Sequence, residues 1–357
     1  MKIGILTFHR AYNYGAFLQA YALKSFLEEC GHTVCFIDYW PFYHERVYRM
    51  MEKHTGIRSF LRNILLAQKR YTRFRLFKIS QKKYLGVSGK PYRSPEQLNN
   101  LEYDRIIYGS DQIWWKSRFG TEGFDAVYWG QYINNGINKI SYAASMGIID
   151  LSDQDKSQIK NYLKSFAAIS VRETRLKNVL QPLTQKQIRT VLDPTLLLPS
   201  SFWDSFCHNN NPVKNKYILL YKVMYDSKAD SFAQEMSQKL KLPVVTLLGQ
   251  ISSYKSDRIN TATGPREFVT LIRDAECVIS TSFHGVALSI QFKKEFYAMG
   301  MANNSDRVLS LLTQLGLENR LTESVPEDPS DIIDYSDVYT RLSVLQNDSS
   351  EFLKNAI

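Results

Sequence analysis

Short apolar runs alternate along the chain with longer stretches in which apolar residues recur at helical spacing, the pattern of an α/β protein. The opening predicts a strand at "KIGILTF", a helix at "GAFLQAYALKSFLEECG" ending on a C-capping Gly31, and a second strand at "TVCFIDY". Three further strands follow at "YDRIIYGSD", "KISYAASMG" and "AAISVRE", with a helix near 152–166 before the last, and then "IRTVLD". The turn at Asp193-Pro194 and Pro199 mark a boundary. Alternation then restarts. Strands are expected at "KYILLYKV", "PVVTLLG", "ECVISTS" and "KEFYAMG", and helices at "KADSFAQEMSQKL", "GPREFVTLIRDA", "HGVALSIQF" and from about Ser305 to Leu315. Two halves of parallel-sheet character predict two Rossmann-like domains facing each other across a cleft, with no internal repeat between them. The first is expected over 1–198, carrying a helical insertion at 41–100. The second is expected over 199–330, followed by a helical tail at 331–357.

A length of 357 residues agrees with two domains, and 44% hydrophobic content is enough to fill both cores. No apolar run is long enough to span a bilayer, and "MKIGILTFHRAYNYG" turns polar too early for a signal peptide, so a cytoplasmic location is expected. The four cysteines, Cys30, Cys35, Cys207 and Cys277, show no metal spacing and read as reduced, buried thiols.

Charge changes the picture in one place. Residues 53–83 hold ten Lys or Arg and no Asp or Glu, so the whole net charge of +10 comes from this stretch. Phe60, Leu61, Ile64, Leu65, Tyr71, Phe74 and Phe77 recur there at approximately helical spacing. The stretch reads either as a solvated helix packed on the first domain or as a helix attracted to anionic lipid headgroups. No nucleic-acid-binding module surrounds it, and a nucleic-acid partner is not expected.

Ligands of open α/β sheets bind at the carboxyl ends of strands, so those ends carry the candidate chemistry. No phosphate-loop motif, serine-nucleophile elbow or metal-spaced His/Cys/carboxylate cluster is present, and no metal is expected. The turn "STSFHG" between a strand and a helix places His284 beside a helix N-terminus, where unpaired N–H groups attract anions; the alternative is a cap or a packed ring. Arg172 offers a planar fork to a carboxylate or phosphate, or else pairs with Glu173 or another surface acid. Asp111, between Ser110 and Gln112 and just ahead of Trp114, either binds sugar hydroxyls while an indole stacks on the ring, or forms an Asx turn.

Together "NYGAFLQAYAL", "YGSDQIWW", "ISYAASMG", "ISVRE", "VLDPTLLL" and "SFHGVALSI", in this order, closely resemble the polysaccharide pyruvyl transferase family, over residues 2 to about 315. The resemblance implies a two-domain arrangement like that of GT-B glycosyltransferases, phosphoenolpyruvate as donor and co-substrate with no other cofactor, and a surface-polysaccharide sugar as acceptor, lipid-linked or polymeric. It implies His284 and Asp111 as catalytic residues. Donor binding falls to Arg172, Ser282, Gly285, Ser305 and Arg307. Acceptor binding falls to Asn13, Tyr14, Gly15, Gln19, Ser110, Gln112 and Trp114, Gly15 otherwise serving only a tight turn. Some similar proteins carry Arg-Leu-His where this chain has Ser282-Phe283-His284, and Arg307 is expected to supply the missing cation. With a lipid-linked acceptor, the basic stretch would hold the protein at the inner face of the plasma membrane. The alternative is a nucleotide-sugar glycosyltransferase of the same architecture, with Glu295 as its ribose-binding acid. A non-catalytic glycan-binding role is the third reading.

Overall fold

The computed structural model describes residues 1–47, 57–116, 123–134, 136–208, 211, 213–223, 226–247, 260–261, 263–300, 305–327 and 332–357. In chain order its elements are β1 (Lys2–Leu6), α1 (Tyr14–Glu29), β2 (Thr33–Phe36), α2 (Phe42–Val47), α3 (Ile57–Ser80), β3 (Arg105–Tyr108), β4 (Asn138–Ala144), α4 (Asp153–Leu163), β5 (Phe166–Val171), α5 (Thr174–Leu180) and β6 (Ile188–Thr190). They continue with α6 (Ser200–Phe206), β7 (Ile218–Tyr221), α7 (Ser227–Leu240), β8 (Val244–Leu247), β9 (Asn260–Thr261), α8 (Pro265–Asp274), β10 (Cys277–Ser280), α9 (Phe283–Gln291), β11 (Glu295–Ala298), α10 (Ser305–Leu315) and α11 (Tyr335–Ala356).

These form two α/β units. One comprises Met1–Tyr48, Gln81–Leu197 and Leu342–Ile357, and the other Arg49–Ser80 and Leu198–Arg341. The first unit holds a parallel sheet in the order β2-β1-β3-β4-β5-β6, the second a parallel sheet in the order β11-β10-β7-β8-β9. Each is a doubly wound order with one reversal, between β1 and β3 in the first sheet and between β7 and β10 in the second.

Local chemistry sets the boundaries of α1. Asn13 accepts from the Ala16 N–H at 3.1 Å to cap its start. At its end Gly31, at φ +85°, lets the Gly31 and His32 N–H groups reach the carbonyls of Glu28 and Leu27 at 2.9 and 3.2 Å. This is the paired closure that a left-handed residue after a helix permits.

The expected strand over 103–111 ends earlier, at Tyr108. At Gly109 the backbone φ is +121°, and a Cβ there would lie 2.2 Å from the Tyr142 carbonyl oxygen. The chain therefore leaves the ladder, and Asp111, at φ +80°, makes only a single bridge to Ala144. Short elements with no long periodic run, α5, α6 and the two-residue β9, had no counterpart among the predicted elements.

The basic stretch differs most from expectation. Residues 53–56 lie outside the described residues; from Ile57 to Ser80 the stretch is one helix, continued by a π-helical turn at Gln81–Leu85. It belongs with the second unit, not the first. Near its end Phe77 is fully buried, and Leu76 lies so close to the start of α8 that a Cβ on Gly264 would come within 2.8 Å of it. The cysteines also depart from expectation: Cys207 and Cys277 are buried, with thiols pushed up to about 11 and about 12 by burial, but Cys35 is exposed on the edge strand β2.

The first core centres on an indole pair, Trp114 and Trp129, stacked at 4.4 Å. Beside it His44 is buried against Trp40 at 4.5 Å, with Nε2 facing the Tyr128 hydroxyl at 3.3 Å. Burial, and to a lesser degree the His9 ring, pull its pKa down to about 3. A depressed folded pKa means that protons bind the unfolded chain first, so stability falls as pH drops from the unfolded value towards 3. Replacing His44 by Phe removes the titration but sacrifices the hydrogen bond, about 1 kcal/mol. His44→Phe is therefore expected to be less stable than the parent by about 1 kcal/mol at about pH 7.5 and more stable by a similar amount at about pH 5. Denaturant titrations at both pH values check this, and a pH-independent difference would exclude it.

Candidate functional site

The carboxyl edge at each strand-order reversal gathers most of the expected residues, one group in each unit. In the first unit the edge is built from the residues after β1 and β3 and the start of α1. Thr7 Oγ donates to the Ser110 carbonyl and accepts from Gln19 Nε2, both at 2.9 Å, so the two strand ends and α1 are tied together. Gln19 also donates to the Ala16 carbonyl at 2.9 Å; it is fully buried, and its Oε1 meets no hydrogen-bond partner among the described residues. Asn13 is the helix cap, and Tyr14 and Gly15 are buried in the first turn of α1. Gly15 is helical and not among the residues with positive φ, so its place in the chain does not require a glycine's left-handed backbone.

Asp111 sits half-buried with Oδ1 accepting from the adjacent Gln112 N–H at 2.8 Å, not from the N–H two residues on that an Asx turn uses. Gln112 is half-buried against Gly147, where a Cβ would meet its Nε2 at 2.8 Å. Trp114 is a correction. Its ring is fully buried, Nε1 donates to the Tyr128 carbonyl at 3.0 Å, and it stacks on Trp129. An indole so enclosed is part of the core and cannot stack on a sugar.

Arg172 is also corrected. Its side chain is buried and Nη1 donates to Asp193 Oδ2 at 2.7 Å, while the expected partner Glu173 stands 3.5 Å from Nε. Burial alone would lower the guanidinium pKa, but Asp193, Glu173 and Asp111 together hold it above its ordinary value. The same Asp193 oxygen lies 2.9 Å from Ser110 Oγ, and Oδ1 accepts from the Thr195 N–H and hydroxyl at 3.0 and 2.7 Å. Through Nη1, Arg172 thus ties the ends of β5 and β6 together. Glu173 accepts from Ser145 Oγ through one oxygen, and the other is buried without a hydrogen-bond partner among the described residues.

In the second unit, β10 runs through Thr281 to the cap residue Ser282, and α9 begins at Phe283. The Ser282 side chain makes no cap bond; instead its N–H donates to Ser280 Oγ at 3.0 Å. His284, in the first turn of α9, is 6% exposed with its ring edge-on to Phe283 at 5.3 Å. Gly285 is demanded by packing, since a Cβ there would lie 2.2 Å from Ser280 Oγ and 3.1 Å from the Tyr221 ring. The glycine brings the first turn of α9 down onto β7 and β10 and so fixes where its amide groups point. Arg307 is half-buried in the first turn of α10, which packs against α9. Ser305 begins that helix, its side chain outside the described residues, as are residues 303–304 of the same motif.

Several groups at these edges were missed. Beside β10, the residue after β7 is Lys222, its buried Nζ 2.5 Å from the buried Asp230 carboxylate. In the first unit, His9 places Nδ1 3.0 Å from the Thr7 carbonyl and Nε2 3.1 Å from Asp38, which Arg10 also grips. Burial opposes ionisation of Asp38, but the hydrogen bonds from Arg10 and His9 outweigh it and take the carboxyl down to about 2. A basic pair immediately after a strand, "FHR", was the available signal. Glu295 lies at the opposite, amino end of β11, accepting from Arg320 Nη1 at 3.2 Å and the Ile333 N–H at 2.8 Å. It is not placed to hold a ribose at the carboxyl edge. Among the described residues no helix is long and apolar enough to cross a membrane.

Three solved structures are among those similar to this chain. A Neisseria meningitidis UDP-GlcNAc 2-epimerase bound to UDP-GlcNAc shares 10% identity at a TM-score of 0.48, over 100% of this chain and 99% of that one. A Methanocaldococcus jannaschii UDP-GlcNAc 2-epimerase in complex with UDP-GlcNAc and UDP shares 12% at 0.47, over 97% and 100%. An E. coli heptosyltransferase with ADP shares 9% at 0.40, over 86% and 90%. No curated protein gives a significant sequence match. The family model for polysaccharide pyruvyl transferase matches residues 13–303, a span that takes in both strand-end groups from Asn13 through Gly285. The chain belongs to the polysaccharide pyruvyl transferase family.

Proposed function

We propose that the protein transfers the enolpyruvyl group of phosphoenolpyruvate to two hydroxyls of one hexose in a lipid-linked precursor of a surface polysaccharide, forming a pyruvate ketal. The observation that carries this reading is His284 in the first turn of α9 at the strand-order reversal of the second sheet, held there by Gly285. The reaction balances as phosphoenolpyruvate plus diol giving ketal plus inorganic phosphate. The methylene carbon takes a proton, C2 is attacked by the first hydroxyl, phosphate departs, and the second hydroxyl closes the ring.

In this reading the carboxylate and phosphate of the donor lie against the amide groups of the α9 first turn, with Ser282 and Arg307 beside them. His284 moves the proton, as an imidazole can near neutrality. Asp111 and Gln112, half-buried at the edge of the first sheet, address the acceptor hydroxyls, while the fully buried Gln19 and Ser110 tie that edge together.

The test is phosphate release from phosphoenolpyruvate with and without a lipid-linked glycan extract. Release that requires the extract, with the pyruvyl group appearing on a sugar, is the expected result. No release with any extract, alongside binding of a nucleotide sugar, would replace this reading with a glycosyltransferase.

A further inference from the structure

We infer that the outer face of α3 is a docking surface for an anionic phospholipid bilayer. Over its described side chains the helix is two-sided. Phe77 and Ser80 are buried and Leu76 and Phe74 half-buried on one side, while Gln68, Tyr71, Thr72, Arg75, Lys78 and Ile79 form one exposed stripe on the other. Tyr71 and Ile79 are 59% and 50% exposed, among the largest exposed apolar side chains of the chain, and they lie on the same stripe as Arg75 and Lys78.

Charge identifies the occupant. The stretch 53–83 carries ten basic residues and no acidic one, while the rest of the chain is neutral overall. The cations also crowd one another: burial, and then the Arg73 charge, pull the Arg70 guanidinium below its ordinary value. A surface dense in negative charge relieves that crowding, and a bilayer also accepts the two apolar side chains, which nucleic acid would leave in water. Tyrosine and aliphatic groups between cations suit the headgroup boundary, where rings enter the acyl edge and ammonium and guanidinium groups meet phosphates. The inference does not depend on the reaction proposed above.

Flotation of the full chain with phosphatidylglycerol/phosphatidylcholine vesicles, against pure phosphatidylcholine, tests it. Binding is expected only to the anionic vesicles and weakened by added salt. Arg75→Ala/Lys78→Ala should lower the partition coefficient by roughly thirty-fold, from about 1 kcal/mol per basic side chain near the surface. Tyr71→Ser/Ile79→Ser should lower the part of the binding that persists at high salt. Circular dichroism and the thermal unfolding midpoint should be unchanged in both variants, which separates lost docking from lost folding. Equal binding to neutral and anionic vesicles, or none to either, overturns the inference, as does binding to RNA in the absence of any vesicle binding.

Discussion

His284→Ala is expected to lose acceptor-dependent phosphate release by about 10²–10⁴-fold, the usual contribution of a positioned proton-transfer group. The imidazole lies within the first turn of a helix whose approach to the sheet is set by Gly285, so truncating it alters the edge without altering the packing that creates it. Its burial at 6% exposure is that of a group shielded from bulk water, which favours directed proton transfer over exchange with solvent. His284→Gln separates two roles. If the ring only donates a hydrogen bond to the leaving phosphate, the amide restores most of the rate; if it moves the proton, both variants are inactive, and this is the expected outcome. Unchanged release in His284→Ala, with the fold intact, would remove this residue from the chemistry.

Asp193→Ala is expected to cost about 3–5 kcal/mol of stability, the range for breaking a buried ion pair by removing one partner. The loss comes less from the missing attraction than from what remains: a buried Arg172 guanidinium left with Glu173, 3.5 Å from Nε, in place of its closer counter-ion, beside a Ser110 hydroxyl and a Thr195 amide that both lose an acceptor. Arg172→Met/Asp193→Leu removes both partners but strands the buried Glu173 carboxylate, so the double variant is expected to cost less than the sum of the two single variants. Chemical denaturation of the two single variants and the double variant measures the coupling. Additive losses would mean that the pair is not the tie described. Because Arg172, Ser110 and Asp193 sit at the ends of different strands, the single variant should also weaken the edge on which Gln19 and Asp111 lie.

The aromatic content of "DQIWW" illustrates how an exposed-site reading fails. From sequence, an Asp followed by two indoles suits a sugar platform; in the fold Trp114 is buried, stacked on Trp129 with Nε1 donating to the Tyr128 carbonyl. Both partners come from a segment some 14 residues further on, which no pattern local to Trp114 announces. His284 and Gly285 were found for the opposite reason. Their position follows from a strand, a turn and a helix contiguous in the chain, and the helix N-terminus comes with that order.

By itself the sequence determined the two parallel α/β halves, the strand ends that carry polar residues, the basic helix and the family, because periodicity, caps and motif order are properties of neighbouring residues. Only the tertiary structure decided which of the polar residues are spoken for. Arg172 meets Asp193 across 21 positions and Thr7 meets Ser110 across 103, and the helix 57–80 packs with the second unit although it is threaded through the first in sequence. Such pairings depend on sheet order and on what each side chain loses to burial, and both are set by contacts between segments distant in the chain.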